Sequence, residues 1–127
     1  LSSTIAGGNQ NSATGSRAVV GGGTVNIASG TISGVFGGSS NVATASGAFV
    51  GGGIRNDATS NYSTIIGGEE NDTLTFVNSH IIGSNLTSDR QDCTFVENLS
   101  IKSIPTAATG LPSGSIWSNA GVLNIVP

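Results

Sequence analysis

Residues 33–43 read Ser-Gly-Val-Phe-Gly-Gly-Ser-Ser-Asn-Val-Ala, a unit that recurs every fifteen residues through the first half of the chain. Its asparagine recurs at Asn11, Asn26, Asn41, Asn56 and Asn71. A glycine pair stands four and three residues before each asparagine, at Gly7-Gly8, Gly22-Gly23, Gly37-Gly38, Gly52-Gly53 and Gly67-Gly68. A fixed period of this length is typical of repeat proteins, in which each coil must stack on its neighbours to bury its apolar face.

The other constant positions lie at even offsets from the asparagine, which is the periodicity of a β-strand. Six residues before it stand the β-branched side chains of Ile5, Val20, Val35, Val50 and Ile65. Eight residues before it stand the small side chains of Ser3, Ala18, Ser33, Ala48 and Ser63. We predict two short strands and two turns per coil, with these columns inside and the glycine pair at a sharp turn. The fold class predicted is therefore all-β, a parallel β-solenoid.

The asparagine column has two structural interpretations. Stacked side-chain amides can hydrogen-bond along the rod as a ladder. Alternatively, each asparagine occupies a turn in the left-handed region, which asparagine tolerates better than most residues. Glycosylation is the competing interpretation, since four asparagines stand in acceptor sequons. Those sequons begin at Asn61, Asn71, Asn85 and Asn98.

The odd positions vary, and some of them carry large apolar side chains. Val19, Phe36, Phe49 and Ile66 all lie at odd offsets, so we expect them on the outer face of the first strand. An exposed apolar patch on a thin rod is a hallmark of an interaction surface. A solenoid with an Ala and Val interior also buries little apolar area. Both points predict an obligate homo-oligomer with these four residues at its interface.

The regular repeat spans residues 1–75, and degenerate terminal coils follow in residues 76–104. Residues 79–85 resemble the unit at a fourteen-residue step, which aligns Asn85 with Asn71, and residues 94–98 resemble it at thirteen. We expect an exposed loop over residues 88–92, the most charged stretch of the chain. Residues 105–127 are predicted to form a β-hairpin that serves as a C-terminal cap or a short trimerising module.

Composition excludes several classes of function. Only 9% of the 127 residues are charged, the net charge is −3, and the basic residues are scattered, so nucleic acid is not an expected partner. The single cysteine, Cys93, excludes an internal disulfide and a cysteine zinc site. No apolar run approaches the ~20 residues of a membrane-spanning helix, so we expect no membrane insertion. We expect no cofactor and no metal, and the absence of an initiating Met suggests a natural chain that extends further at its N-terminus.

The repeat over residues 33–43 resembles the head repeats of YadA-like trimeric adhesins, well over residues 1–75 and loosely over 76–98. The resemblance implies that three chains each form a left-handed parallel β-roll and pack around a threefold axis. Residues 110–126 are similar to the endings of viral and phage fibre or tail proteins. Because neither a heptad stalk nor barrel strands follow the repeats, we favour a fibre, which implies attachment to a host-surface receptor, glycans included.

The leading hypothesis is therefore a non-enzymatic structural and receptor-binding segment of a trimeric viral or phage fibre, on the virion surface or otherwise extracellular. The alternative is the head of a bacterial trimeric autotransporter adhesin at the cell surface. A third hypothesis is a polysaccharide-degrading tail spike with paired carboxylates. The candidate ligand-binding residues are the charged side chains of the variable loops, namely Glu69, Glu70, Asp72, Asp89, Arg90 and Asp92. His80 is the only histidine, and we assign it no catalytic role.

Overall fold

The structure is a computed structural model that describes residues 2–127, and in that range it contains thirteen β-strands and no helix. In chain order the strands are β1 (Thr4–Ile5), β2 (Ser12–Ala13), β3 (Val19–Val20), β4 (Ile27–Ala28), β5 (Gly34–Val35), β6 (Val42–Ala43), β7 (Phe49–Val50), β8 (Asp57–Ala58), β9 (Thr64–Ile65), β10 (His80–Ile82), β11 (Thr94–Val96), β12 (Ile116–Asn119) and β13 (Val122–Ile125).

Two parallel sheets run along the stack, which confirms the predicted parallel β-solenoid. One sheet has the order β1-β3-β5-β7-β9-β10-β11, and the other has the order β2-β4-β6-β8. Neighbouring strands pair fifteen residues apart in the regular part, as Val20 does with Val35. At a strand spacing of ~4.8 Å, seven stacked strands make a rod roughly 29 Å long.

A third row of backbone contacts lies between the glycine pair and the asparagine. Single parallel bridges join Asn9, Thr24, Ser39, Ile54 and Glu69 in succession. Each coil therefore has three short paired segments rather than the two predicted. The third segment is one residue long, too short to give a period-two pattern in the sequence.

The core is a thin layer of small and β-branched side chains, as the even offsets predict. In the stacked coils the column six residues before the asparagine is fully buried at Val20, Val35, Val50 and Ile65. The column eight residues before the asparagine is buried at Ala18, Ala48 and Ser63. The column two residues after the asparagine is buried at Ala28, Ala43 and Ala58. Ile5, in the first coil, is 46% exposed because no coil covers it from below.

The asparagine side chains form the amide ladder. Nδ2 of Asn41 donates to the carbonyls of Gly37 at 3.0 Å and Gly53 at 2.9 Å. Its Oδ1 accepts the backbone N–H of Asn56 at 3.1 Å, so each rung joins two coils. The left-handed conformation falls on the residue before the asparagine instead, for example Ser40 with φ 58°. Asn71 is buried in this ladder and is closed to glycosylation.

The two glycines of each pair have different roles. Gly38 has φ +82°, and a Cβ there would overlap the Gly53 carbonyl oxygen of the next coil. At Gly37 a Cβ would meet no atom within 4 Å. The requirement for glycine at a sharp turn therefore applies to the second position, where positive φ and close stacking coincide.

Beyond Asn71 the stacking follows a different register from the one predicted. Ile65 pairs with Ile81, a step of sixteen, and Ile81 pairs with Phe95, a step of fourteen. Leu86, not Asn85, follows Asn71 in the ladder, since its N–H donates to Asn71 Oδ1 at 3.0 Å. Asn85 has φ 56° and takes the left-handed corner. The alignment of Asn85 with Asn71 is therefore wrong by one residue.

The predicted loop over residues 88–92 is exposed except at its first residue. Asp89, Arg90, Gln91 and Asp92 are exposed. Ser88 is buried, and its hydroxyl hydrogen-bonds to that of Ser79. Ser88 therefore belongs to the interior of the coil that contains β10, and the exposed loop begins at Asp89.

The predicted C-terminal β-hairpin is confirmed. β12 and β13 pair antiparallel, with Ile116 opposite Ile125 and Asn119 opposite Val122. Among the strands that the structure describes, these two contact only each other. The role of residues 105–127 as a C-terminal cap or a short trimerising module stays a prediction.

Candidate functional site: the outer face of the seven-stranded sheet

An apolar stripe runs along the outer face of the seven-stranded sheet, and we define it as Val19, Phe36, Phe49 and Ile66. The structure places all four predicted residues on this face. Phe36 and Ile66 are 58% and 57% exposed, while Val19 and Phe49 are half-buried. The stripe crosses four consecutive coils, since its residues belong to or directly follow β3, β5, β7 and β9. This face therefore presents large apolar side chains to solvent in four successive coils.

The aromatic rings of the stripe lie over a gap in the sheet surface. Gly34 stands between Val19 and Phe49 in their column and has no side chain. The rings of Phe36 and Phe49 both contact the position that a Gly34 side chain would occupy. Their centroids are 5.4 Å apart with the planes tilted by 44°, an ordinary aromatic pair. The two rings thus cover the surface that Gly34 leaves without a side chain.

A shallow hollow of about 250 Å³ adjoins this aromatic pair. Its lining includes the apolar side chains of Val19, Phe36, Phe49 and Ile32 and one cation, Arg17. The remaining lining residues are small, namely Ser33, Gly34, Gly47 and Ala48. The hollow is therefore mainly apolar, and its volume is large enough to hold a side chain.

Two exposed residues beside the stripe were not predicted to belong to this face. Ile32 and Tyr62 are 57% and 62% exposed and occupy the second left-handed corner of their coils, with φ 58° and 57°. The Tyr62 ring lies against Gly47. Both residues stand nine before an asparagine, an odd offset like those of the stripe. Extending the odd columns by one more step would have found them.

The predicted ligand-binding acids Glu69 and Glu70 are held by a cation of the coil below. The Arg55 guanidinium lies 2.6 Å from a Glu69 carboxylate oxygen and 2.7 Å from one of Glu70. The hydrogen bond and charge of Glu70, followed by those of Glu69, raise the pKa of Arg55. All three side chains are about half-exposed, so solvent screens the pairing. Arg55 thus partly neutralises the negative charge of Glu69 and Glu70.

The other charged candidates have separate partners. Arg90 binds its neighbour Asp89 at 2.7 Å, and this contact holds the pKa of Asp89 below its usual range. Asp92 accepts a hydrogen bond from Asn78 at 3.0 Å, and Asp72 accepts the N–H of Leu74 at 2.7 Å. Between residues 2 and 127 no group of three or more His, Cys, Asp or Glu side chains is placed to hold a metal ion.

One carboxylate that the sequence analysis left aside stands out electrostatically. Asp57 pairs with Asp72 of the next coil through a parallel backbone bridge, so two acids stack in one column. Partial burial, and then the charge of Asp72, raise the pKa of Asp57. The column below them is apolar, because Asp57 follows Val42 in the ladder. A carboxylate added to an apolar column next to another carboxylate is a local cost to folding.

His80 and Cys93 lie at the C-terminal coils. His80 Nε2 is 3.2 Å from Asn78 Oδ1, and its backbone N–H donates to the Cys93 carbonyl at 2.9 Å. Cys93 is a half-buried free thiol. The hydrogen-bond partner of the imidazole is thus a side-chain amide.

No protein-family model matches the chain, and no curated protein matches it. Over residues 2–127 the structure has no helix with the length and apolar character needed to cross a membrane.

Proposed function

We propose that this chain is a non-enzymatic structural and receptor-binding segment of a homotrimeric viral or phage fibre that attaches the particle to a host surface. The observation that carries the proposal is the apolar stripe on the seven-stranded sheet. Two of its large side chains, Phe36 and Ile66, are more than half exposed on a rod whose buried side chains are Ala, Val, Ile, Ser, Thr and Asn.

The stripe supports self-association because soluble monomers rarely leave an ordered row of large apolar side chains in water. It also runs parallel to the rod axis, since its residues repeat from coil to coil. Copies that pack along such a stripe lie side by side in register, which is the geometry of a fibre. The number three comes from the resemblance of the repeat to YadA-like heads, as does the role in attachment.

The side chains left for a receptor are those on the variable corners and loops. Glu69 and Glu70 with Arg55, and Asp89 with Arg90, are exposed and carry both charges. Tyr62 adds an exposed aromatic ring of the kind that stacks on a sugar. These groups suit a polar ligand such as a surface glycan.

The first experiment compares two double variants by light scattering at equal concentration. Phe36→Ser with Phe49→Ser removes the aromatic pair of the stripe. The control, Ile27→Ser with Ile54→Ser, removes exposed isoleucines from other faces of the same coils. We expect the stripe variant to have the mass of a monomer by light scattering, while the control keeps the mass of the wild type. Equal behaviour of the two variants would contradict the assignment of the interface.

The second experiment addresses attachment. Labelled full chain is incubated with host cells and with immobilised surface glycans, and bound label is measured together with released reducing ends. We expect binding without release of sugar. Release of oligosaccharide would contradict the non-enzymatic part, and absence of binding to every surface glycan and cell would contradict the attachment part.

A further inference from the structure

Four asparagines begin the acceptor sequon Asn-x-Ser/Thr, and the fold treats the four sequons differently. An asparagine can accept a glycan only where it reaches the active site of an oligosaccharyltransferase, and the motif shows that the enzyme also recognises the hydroxyl two residues later. Both side chains and the backbone between them must therefore be accessible in the folded chain. Three of the sequons lie within the stacked coils, and the fourth, Asn98-Leu99-Ser100, follows β11.

Two of the sequons in the coils are closed by burial. Asn71 is a buried rung of the amide ladder. In the sequon that begins at Asn61, the hydroxyl residue Ser63 is fully buried, and its Oγ donates to the Ser60 carbonyl at 2.6 Å. The Asn61 side-chain oxygen also accepts the Ser46 N–H at 3.1 Å. Neither sequon can present its amide and its hydroxyl together while the coil stays folded.

The sequon that begins at Asn85 is exposed at both recognised side chains but held by its backbone. Asn85 occupies a left-handed corner with φ 56°. The Leu86 N–H donates to Asn71 Oδ1 at 3.0 Å. Thr87 pairs with Asp72 through a parallel backbone bridge. This sequon is therefore fixed against the neighbouring coil and cannot take up another conformation in an enzyme without local unfolding.

The sequon that begins at Asn98 is free of these constraints. Asn98, Leu99 and Ser100 are all exposed. The last backbone hydrogen bond of the stacked coils, from the Glu97 N–H to the Ile82 carbonyl at 3.1 Å, lies immediately before them. Within residues 2–127 none of the three sequon residues makes a hydrogen bond to another residue. The segment can therefore enter an enzyme active site while the solenoid stays folded.

A glycan at this position would also cover exposed apolar surface. Leu99 and Ile101 are 73% and 43% exposed. Lys102 is the only charged side chain in residues 98–127, so charge does little to keep this segment in solution. An oligosaccharide on Asn98 is bulky and strongly hydrated, and it would shield the neighbouring Leu99 from non-specific contacts.

We propose that Asn98 is an N-linked glycosylation site and that the other three sequons of the folded chain are not modified. The donor is an oligosaccharide linked to a polyprenyl diphosphate. Asn98 Nδ2 forms a bond to the anomeric carbon of the first sugar, and the bond from that carbon to the diphosphate oxygen breaks. The polyprenyl diphosphate leaves with the bonding electrons, and the proton lost from Nδ2 passes to a base of the transferase. This site does not depend on the proposed function, since Asn98 lies outside the stripe.

The test is sugar transfer to the folded full chain. The purified chain is incubated with an oligosaccharyltransferase and a polyprenyl-diphosphate-linked oligosaccharide, and mass spectrometry of the intact chain and its peptides locates the product. We expect the mass to rise by a single oligosaccharide, on the peptide that contains Asn98. Asn98→Gln and Ser100→Ala should each abolish the increase, because they remove the acceptor amide and the recognised hydroxyl. Asn85→Gln is the matched control, since it makes the same change in another exposed sequon, and it should leave the increase intact.

Unfolded substrate separates the effect of the fold from the preference of the enzyme. Short peptides that contain each of the four sequons lack the coil contacts, so we expect the enzyme to modify the Asn61 and Asn85 peptides as well as the Asn98 peptide. Modification of Asn61 or Asn85 in the folded chain to the same extent as Asn98 would overturn the proposal. So would a folded chain left unmodified at Asn98 by an enzyme that modifies the Asn98 peptide, or an unmodified Asn98 peptide in a digest of the chain from its natural source.

Discussion

Replacing Asn41 by alanine removes one rung of the amide ladder from the middle of the solenoid. Asn41 is fully buried. Its Nδ2 donates to the carbonyls of Gly37 and Gly53, and its Oδ1 accepts the N–H of Asn56. The change therefore acts on two coils at once, although it alters a single side chain.

The magnitude follows from the groups that lose a partner. The Gly53 carbonyl keeps its hydrogen bond from the Ser39 N–H at 2.9 Å. In the part of the chain that the structure describes, the Asn56 N–H and the Gly37 carbonyl have no other partner. An orphaned buried group costs about 1–3 kcal/mol. Asn56 is fully buried and Gly37 is half-exposed, so water can recover the second group in part. We expect a loss of about 3 kcal/mol in the free energy of unfolding.

The assay is guanidinium denaturation followed by circular dichroism, with wild type and variants at one protein concentration because association shifts apparent stability. Asn9→Ala is the control, since Asn9 is exposed and lies in the first coil of the same solenoid. The control should change stability by no more than about 0.5 kcal/mol. If Asn41→Ala and Asn9→Ala unfold at the same denaturant concentration, the ladder does not hold the coils together and the reasoning fails.

Two further predictions concern the coil itself and its charges. Gly38→Ala should lower the free energy of unfolding by at least about 2 kcal/mol, because it puts a side chain on a left-handed backbone and against the Gly53 carbonyl. Gly37→Ala should leave stability unchanged or raise it slightly, since a Cβ there meets no atom. Thermal melts of the two variants test this, and equal melting temperatures would contradict it. Asp57→Asn should stabilise the fold by a few tenths of a kcal/mol at pH 7. The folded pKa of Asp57 is raised above 3.8, so its ionisation costs stability above that folded pKa and the cost disappears as the pH falls. Denaturation of both forms at neutral and acid pH tests the sign, and a benefit that persists when the carboxyl is protonated would refute it.

The fold was predictable from the sequence because the coil repeats without error for five units. Val20, Val35 and Val50 stand at even offsets from the asparagine, and all three are buried. The register after Asn71 was not predictable from asparagine spacing alone. Asparagine suits both the ladder and the left-handed corner, and Asn85 takes the corner while Leu86 continues the stack. Because asparagine is suited to both positions, an asparagine in the sequence does not show which of the two it occupies.

The candidate site was predictable only in part, for a related reason. An odd offset from the asparagine identifies the side chains that point outwards, so Phe36 and Phe49 could be placed on one face. The offset does not show which outward residues share a hollow, since the gap at Gly34 depends on two coils at once. Nor does it show that Arg55 reaches Glu69 and Glu70, which lie in the next coil. Contacts between coils depend on how the coils stack. The spacing of residues along the sequence predicts such contacts only where the same residue type recurs in every coil.

The mass of the full chain in solution tests the central claim most directly. Sedimentation equilibrium should give a mass three times the 12.5 kDa of one chain at about 10 µM protein. That mass should fall towards one chain on dilution in the Phe36→Ser, Phe49→Ser variant before it does so in the wild type. A wild-type mass of 12.5 kDa across the whole concentration range would contradict the account, because the apolar stripe would then be a stable surface of a monomer.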